Sequence, residues 1–375
     1  MKIEQAIKNI NTPFIFRNER ISLNNPLVLV FGDRFLLESE GLFEEVRTIY
    51  PDGHLVFGST SGEIIGADVL DDSVTITAIE FEKAHFLIKR KNVLDFGNND
   101  YELGKSLSNE FPMEDLKNIF IISEGSFVNG SSLIFGINSK NQNINISGGL
   151  CGDGDRFQKT ICAYNERPKV GEVVAIGFYG DTLEMTSASY GGWSTFGPER
   201  RVTKSKGNLL FELDGKPALD LYKEYLGEKS KDLPKSALLY PLNVYIDNQQ
   251  ATVRTILNIN ESQNTMVLAG DIPEGSRVKL MMATVDDIAE GAAIAANLAM
   301  ENRMNKPELA ILVSCVGRKL VMGQRTEEEI EEVVSIIGEQ TKVTGFYSYG
   351  EMAPFSGQQS CRLHNQTMTL TLISE

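Results

Sequence analysis

The sequence predicts an α/β protein of two related domains, residues 20–215 and 216–375, in which mixed β-sheets are flanked by helices and a β-α-β plan is repeated. Three observations lead to this class. Uninterrupted apolar runs such as "LVLVFG" (27–32) and "LAILVSC" (309–315) have the length and composition of strands buried on both faces. Each is followed by a stretch with helical spacing and then by a second apolar run, the order of a parallel β-α-β unit. After that second run both halves place a glycine, an acid and then a strand of strict alternation.

In the first unit Leu42, Phe43, Val46, Ile49 and Tyr50 recur on one helical face, and Pro51 to Gly53 end the helix before "HLVFG" (54–58) begins the partner strand. Val74, Ile76 and Ala78 then alternate with Thr75 and Thr77, as a half-buried strand does. A shorter unit runs from "NIFIISEGS" (118–126) through "NGSSLIFGINSK" (129–140) to "INISGGLCGDG" (144–154). The middle of the chain is β-rich, from "EVVAIGFYG" (172–180) to "RVKLMMA" (277–283). It is interrupted by a helix in "KPALDLYKEYLG" (216–227) and by the polar loop "EKSKDLPKS" (228–236). Thr284 with Asp287, and Thr326 with Glu329, have capping-box spacing and are expected to open two further helices. The second of these carries Ile330, Val333, Val334 and Ile337 on one face and leads into "VTGFYSYGE" (343–351). Met368, Leu370 and Leu372 against Thr367, Thr369 and Thr371 repeat the alternation of the first unit, as an old duplication would.

Composition narrows the function. With 375 residues, 42% hydrophobic and 23% charged, the chain is long enough for two domains with cores of their own. A net charge of −15 and scattered lysines and arginines exclude a phosphate-binding stripe, so nucleic acid is not an expected partner. The start, "MKIEQAIKNINTPF", has no apolar signal region, and "LAILVSCV" (309–316) is too short to cross a bilayer, so a cytoplasmic protein without a membrane partner is expected. Cys151, Cys162, Cys315 and Cys361 have no metal-ligand or disulfide spacing.

The three units end in Gly62–Glu63, Gly152–Asp153 and Gly350–Glu351. Ligands of α/β sheets gather at the carboxyl ends of strands, where glycine lets the chain turn and a ligand come close. A carboxylate buried there needs donors, from the N–H groups of its own turn or from a ligand ammonium. The functional expectation is that Glu63 and Glu351, joined by Asp153, converge on one cavity. Ser59, Thr60 and Ser61 would add hydroxyls beside Glu63, and Ser348 and Tyr349 beside Glu351. A ligand carboxylate needs a fork of donors, for which Arg318 and Arg254 are candidates. Cys315 would line the same pocket, and Trp193 is either an aromatic wall or a core anchor. A different class, a thiol-dependent hydrolytic enzyme, would pair Cys315 with a histidine, and of His54, His85 and His364 it would have to use the last. There is no EF-hand, HExxH or Walker spacing.

Several segments carry a family resemblance: "STSGEI" (59–64), "GGLCGDG" (148–154), "GWSTFG" (192–197), "VTKSKGNLLFELDGKPALDLYKEYLG" (202–227), "SCVGRK" (314–319), "GFYSYGEMAPF" (345–355) and above all "LHNQTMTLTL" (363–372). In this order they resemble the FIST family, the F-box and intracellular signal transduction domain, in its N-terminal and C-terminal parts. The resemblance implies an intracellular sensory domain that binds a small ligand such as an amino acid, needs no cofactor, and acts on a signalling protein in trans, such as a histidine kinase or a cyclase. It also draws His364 and Asn365 of "LHNQ" into the ligand site. Haem-binding nitric oxide sensors of the same family give the alternative, with haem b held by His364 as axial ligand. Where relatives often carry Gly-Cys before the Ser-Thr, this chain has Phe57 and Gly58.

Overall fold

The computed structural model describes residues 1–139, 144–246, 251–354 and 360–375; Phe355, the last residue of "GFYSYGEMAPF", lies outside them. The three β-α-β units form. Leu27–Gly32 pairs in parallel with His54–Ser59 across the helix Leu42–Ile49. Leu116–Ser123 pairs in parallel with Asn145–Leu150 across Gly130–Asn138. Leu309–Cys315 pairs in parallel with Lys342–Ser348 across Val316–Met322 and Glu327–Ile337. In every unit the chain then returns antiparallel on the far side of the first strand, as Ser73–Glu80, Glu172–Tyr179 and Met368–Ser374. The likeness of the first and last units thus extends to the middle one.

The segment after each Gly-acid pair crosses to a neighbouring unit. Glu63–Ile65 pairs with Lys342–Ser348, Gly350–Pro354 with Asn145–Leu150, and Cys162–Tyr164 with His54–Ser59. The three six-stranded sheets are thereby laced into a closed ring with threefold pseudosymmetry. Their inner faces share one core, to which the first sheet gives Leu29 and Phe31, the second Phe120 and Ile176, and the third Ile311 and Phe346. The Phe31 and Phe346 rings lie 4.7 Å apart at its centre. Helices cover the outer faces, which is why the strands of each β-α-β unit are apolar on both sides.

Residues 194–282 leave this frame. They form an eight-stranded antiparallel sheet with the helix Ala218–Leu226 and a separate core around Leu210, Tyr222 and Met266. This module is inserted between the strand Glu184–Tyr190 and the helix Val285–Met300, both of which belong to the third unit. Residue 215 lies inside the module, in the turn between Leu209–Leu213 and Lys216–Pro217, and strands from before and after it share two of the other sheets. Where the chain passes into the module, Gly192 has φ +84°, and a Cβ there would meet the Asp287 carbonyl at 2.2 Å, so only glycine fits.

One of the two predicted helix caps forms. Thr284 and Asp287 make the reciprocal capping box of Val285–Met300. Thr326, by contrast, is itself helical at φ −59°, ψ −33°, and its Oγ1 donates to Gly323 O. Glu329 does not cap; it is buried and bonded to Arg318, Ser314 and Tyr347. The need to pair a fully buried guanidinium outweighs a cap, which is worth about 1 kcal/mol.

Candidate functional site

The carboxyl ends of the three parallel pairs meet. Ser61 N donates to Tyr347 O, Tyr349 N to Leu150 O and Gly152 N to Ser59 O, so each strand end is bonded to the next around the pseudo-threefold axis. Beside this ring opens a cleft of about 460 Å³, with all three units in its walls. The first unit gives Asp33, Thr60 to Glu63 and Asp71 to Asp72, the second Gly154 to Arg156, and the third Val316, Lys319, Leu320 and Gly323. The volume falls within the roughly 300–1,000 Å³ usual for small-ligand sites.

Glu63 is the buried acid of the cleft, 1% exposed. Thr60 Oγ1 donates to it at 2.5 Å and Ser73 Oγ at 2.6 Å. Burial raises its pKa from the ordinary 4.5 to about 8, against the opposing pull of the Ser73 and Thr60 hydroxyls and Lys319. Lys319 reaches across from the third unit to Ser61 O at 2.9 Å and to the Asp71 carboxylate. Arg156 binds Asp33 at 2.6 Å and Asp153 at 2.8 Å. The cleft therefore presents five carboxyl groups, of Asp33, Glu63, Asp71, Asp72 and Asp155, against the two cations Arg156 and Lys319.

Glu351 is built on the same plan as Glu63. Ser348 Oγ, three residues earlier, donates to it at 2.6 Å, and Thr367 donates through N at 3.1 Å and Oγ1 at 3.0 Å from the threshold of the returning strand. Burial raises its pKa to about 7, countered by those same donors. Glu351 lies in the core and does not line the cleft. Asp153 stands between Arg34 Nε at 2.9 Å and Arg156, and accepts from Lys159 N at 3.2 Å. Burial pushes its pKa up, but Arg34 and Arg156 outweigh this and hold it below the usual range.

The remaining predicted residues divide. Thr60 and Ser61 line the cleft. Ser59 Oγ is spent on Ile161 N at 3.0 Å. Arg318, fully buried, gives Nε and Nη2 to Glu329, Nη1 to Gly191 O and Nη2 to Ile288 O, which fastens both ends of the inserted module to the third unit. Arg254 donates to Asp271 O and Leu363 O, and Trp193 Nε1 to Gln366 O at 3.0 Å. Tyr349 Oη accepts from Phe157 N at 3.1 Å, and its ring stacks on Phe157 at 4.5 Å. Asn365 is 1% exposed, and its Oδ1 and Nδ2 have no hydrogen-bond partner among the described residues.

Cys315 is 2% exposed, and burial, with Glu351 next, pushes its thiol well above the ordinary 9.0, the opposite of what a nucleophile needs. His364 Nε2 faces Ala353 O at 3.0 Å, and burial lowers its pKa to about 4. His364 lines neither the cleft nor the cavity beside Phe127. These residues do not fit an axial haem ligand in an apolar pocket. Among the described residues there is no group of three or more His, Cys, Asp or Glu side chains placed to hold a metal ion, and no helix is long and apolar enough to cross a membrane.

Comparison with known proteins gives the family. The FIST N domain model matches residues 26–216 and the FIST C domain model residues 218–354. The chain belongs to the FIST family. FIST domains are associated with signal transduction and small-ligand sensing. One relative is a protein of Methanocaldococcus jannaschii described as uncharacterized, 25% identical over an alignment of 367 positions that covers 88% of this FIST protein and 69% of the relative. The boundary between the FIST N and FIST C matches falls inside the inserted module.

Sequence reasoning missed Lys319, Arg156, Asp33 and the Asp71–Asp72 turn as cleft residues. For Lys319 and Arg156 the signal was present in "GRK" and "GDGDR", directly beside the residues it did select; Asp33 and Asp71–Asp72 had no such neighbour.

Proposed function

We propose that this FIST protein senses a small molecule bearing an ammonium group, an amino acid or a simple amine, in the cleft at Thr60–Glu63, and passes the signal to a partner such as a histidine kinase or cyclase in trans. The observation that carries this reading is the charge arrangement at the meeting of three strand ends, an excess of carboxyl groups beside two fixed cations. The acids favour an ammonium, and Lys319 or Arg156 can meet a ligand carboxylate. Both cations are held by protein carboxylates beforehand, so little ordering is left for the ligand to impose. Because three units form the walls, a ligand that fits one arrangement of them better shifts their balance, which is what a sensor requires.

The test is a thermal-shift screen of the amino acids and simple amines. A true ligand at a hundredfold over its dissociation constant raises stability by about 2.7 kcal/mol. Lys319→Gln is expected to weaken an amino-acid hit about tenfold or more, from the loss of a charged hydrogen bond of roughly 1.5–3 kcal/mol. Glu351→Gln, away from the cleft, is expected to keep the ligand-induced shift. A shift lost in Glu351→Gln and kept in Lys319→Gln would move the site out of this cleft.

A further inference from the structure

A second cavity, of about 300 Å³, lies where the inserted module meets the second unit. Phe127, Leu150 and Tyr349 wall it on one side, and Leu257, Leu268 and Ala269 of the module on the other. In a chain of net charge −15, none of its lining residues is Asp, Glu, Lys, Arg or His. We propose that this cavity is a second binding site, for an uncharged molecule of about one aromatic ring carrying one hydrogen-bonding group.

The size and the lining set the class. The volume is at the lower end of small-ligand sites, and the lining offers aromatic and aliphatic surface with neutral polar groups and no charged side chain of its own. Phe127 is 62% exposed, yet its loop is fixed: Glu124 accepts Ser126 N at 2.7 Å and Phe127 N at 2.8 Å, and Thr160 Oγ1 accepts Gly125 N at 2.7 Å. The backbone under the exposed Phe127 ring is thus fixed, so the ring can turn onto a ligand in the cavity at little ordering cost. The Tyr349 ring is likewise held, by Phe157 stacked on it and by Phe157 N on its hydroxyl.

The hydrogen-bonding group follows from Asn365. A Cβ placed on Gly350 would meet Leu150 Cδ1 at 3.2 Å, Leu363 Cδ1 at 3.1 Å and Asn365 Nδ2 at 3.5 Å, so this amide lies against the same glycine as the Leu150 wall. Both of its polar atoms lack partners among the described residues, which is costly for a residue 1% exposed. Asn365 does not itself line the cavity but lies behind Leu150, so a ligand hydroxyl or N–H would satisfy the amide only by displacing the Leu150 side chain.

Phenol and toluene, matched in size, are the probes, with binding followed by ligand-observed NMR titration and differential scanning fluorimetry. Wild type is expected to bind phenol saturably and more tightly than toluene. Phe127→Ala, at an exposed side chain, should keep the melting temperature and lower phenol affinity roughly tenfold. Ala269→Trp, which fills the cavity from the module side, should abolish binding of both probes. Asn365→Leu should keep toluene binding and erase the preference for phenol; a preference kept in that variant means the amide serves a bound water and overturns the anchor. Absence of saturable phenol binding, or binding unchanged in Phe127→Ala and Ala269→Trp, overturns the site. Lys319→Gln should leave phenol binding intact, so failure here is distinct from failure of the cleft.

Discussion

Glu63 and Glu351 each accept a hydroxyl from three residues earlier and another from the threshold of the returning strand, and among the described residues neither has a cation within hydrogen-bonding distance. Such acids prefer to keep their protons in the folded chain, with pKa values of about 8 and about 7. For Glu63 the contribution to stability is complete below the ordinary 4.5 and is lost as pH rises to about 8. In Glu63→Gln this dependence is gone. The unfolding free energy of the variant minus that of wild type should therefore rise by roughly 1.4 kcal/mol per pH unit across that window and then level off. Urea titrations at a series of pH values read it, and a flat difference would mean that Glu63 is ionised in the fold. The same group bears on the ligand. A cationic ligand binds best when Glu63 is charged, so affinity should rise with pH towards about 8 in wild type and stay level in Glu63→Gln.

The helices Val316–Met322 and Glu327–Ile337 are joined by the buried Arg318–Glu329 pair, with Nη2 to Oε2 at 2.8 Å and both side chains fully buried. Removing one partner leaves a charge without compensation, so Glu329→Gln should cost about 3–5 kcal/mol in a denaturant titration. The double variant Arg318→Met, Glu329→Met should recover much of that loss, because an apolar pair replaces the ions rather than stranding one of them. If the double variant is as unstable as the single, the bonds from Arg318 to Gly191 O and Ile288 O carry the stability instead. Among helix starts, Thr284→Ala should cost about 1 kcal/mol because the full capping box is lost.

Three laced sheets with a common core and a module with a core of its own make different demands on the chain. Among the described residues no strand of the ring is drawn from 194–282, and the two connections to the module lie side by side at Gly192 and Asp287. Replacing 194–282 by a short glycine-rich linker should therefore leave a folded ring that melts cooperatively. Its melting temperature should be lower, because Gln366 Nε2 loses Leu238 O and Thr255 Oγ1, and Leu363 O loses Arg254. Circular dichroism melts test this, and a chain without a transition would make the module part of the folding unit. The cleft lies wholly in the ring, so the shortened chain should still bind the cleft ligand, whereas the cavity beside Phe127 loses its second wall.

The three β-α-β units, their helices and the Gly-acid turns were legible in the residues, because apolar runs, helical spacing and glycine turns are local properties that adjoining residues set. Where each strand goes after its turn was not. Glu63–Ile65 is as apolar as a strand that stays in its own sheet, and only packing around the shared Phe31–Phe346 core sends it to the third unit. Thr326 and Glu329 have the spacing of a cap, yet a buried guanidinium eleven residues before Glu329 claims the carboxylate. The residues chosen for the site lay on the right loops, and Thr60, Ser61 and Glu63 do face the cleft. Glu351, Arg318 and Cys315 turn into the core, since which side of a strand end is open depends on what packs against it. Lys319 and Asp71 meet across 248 positions of sequence, and Arg156 joins them in the cleft wall, because three sheets close into a ring, a long-range arrangement that no local pattern encodes.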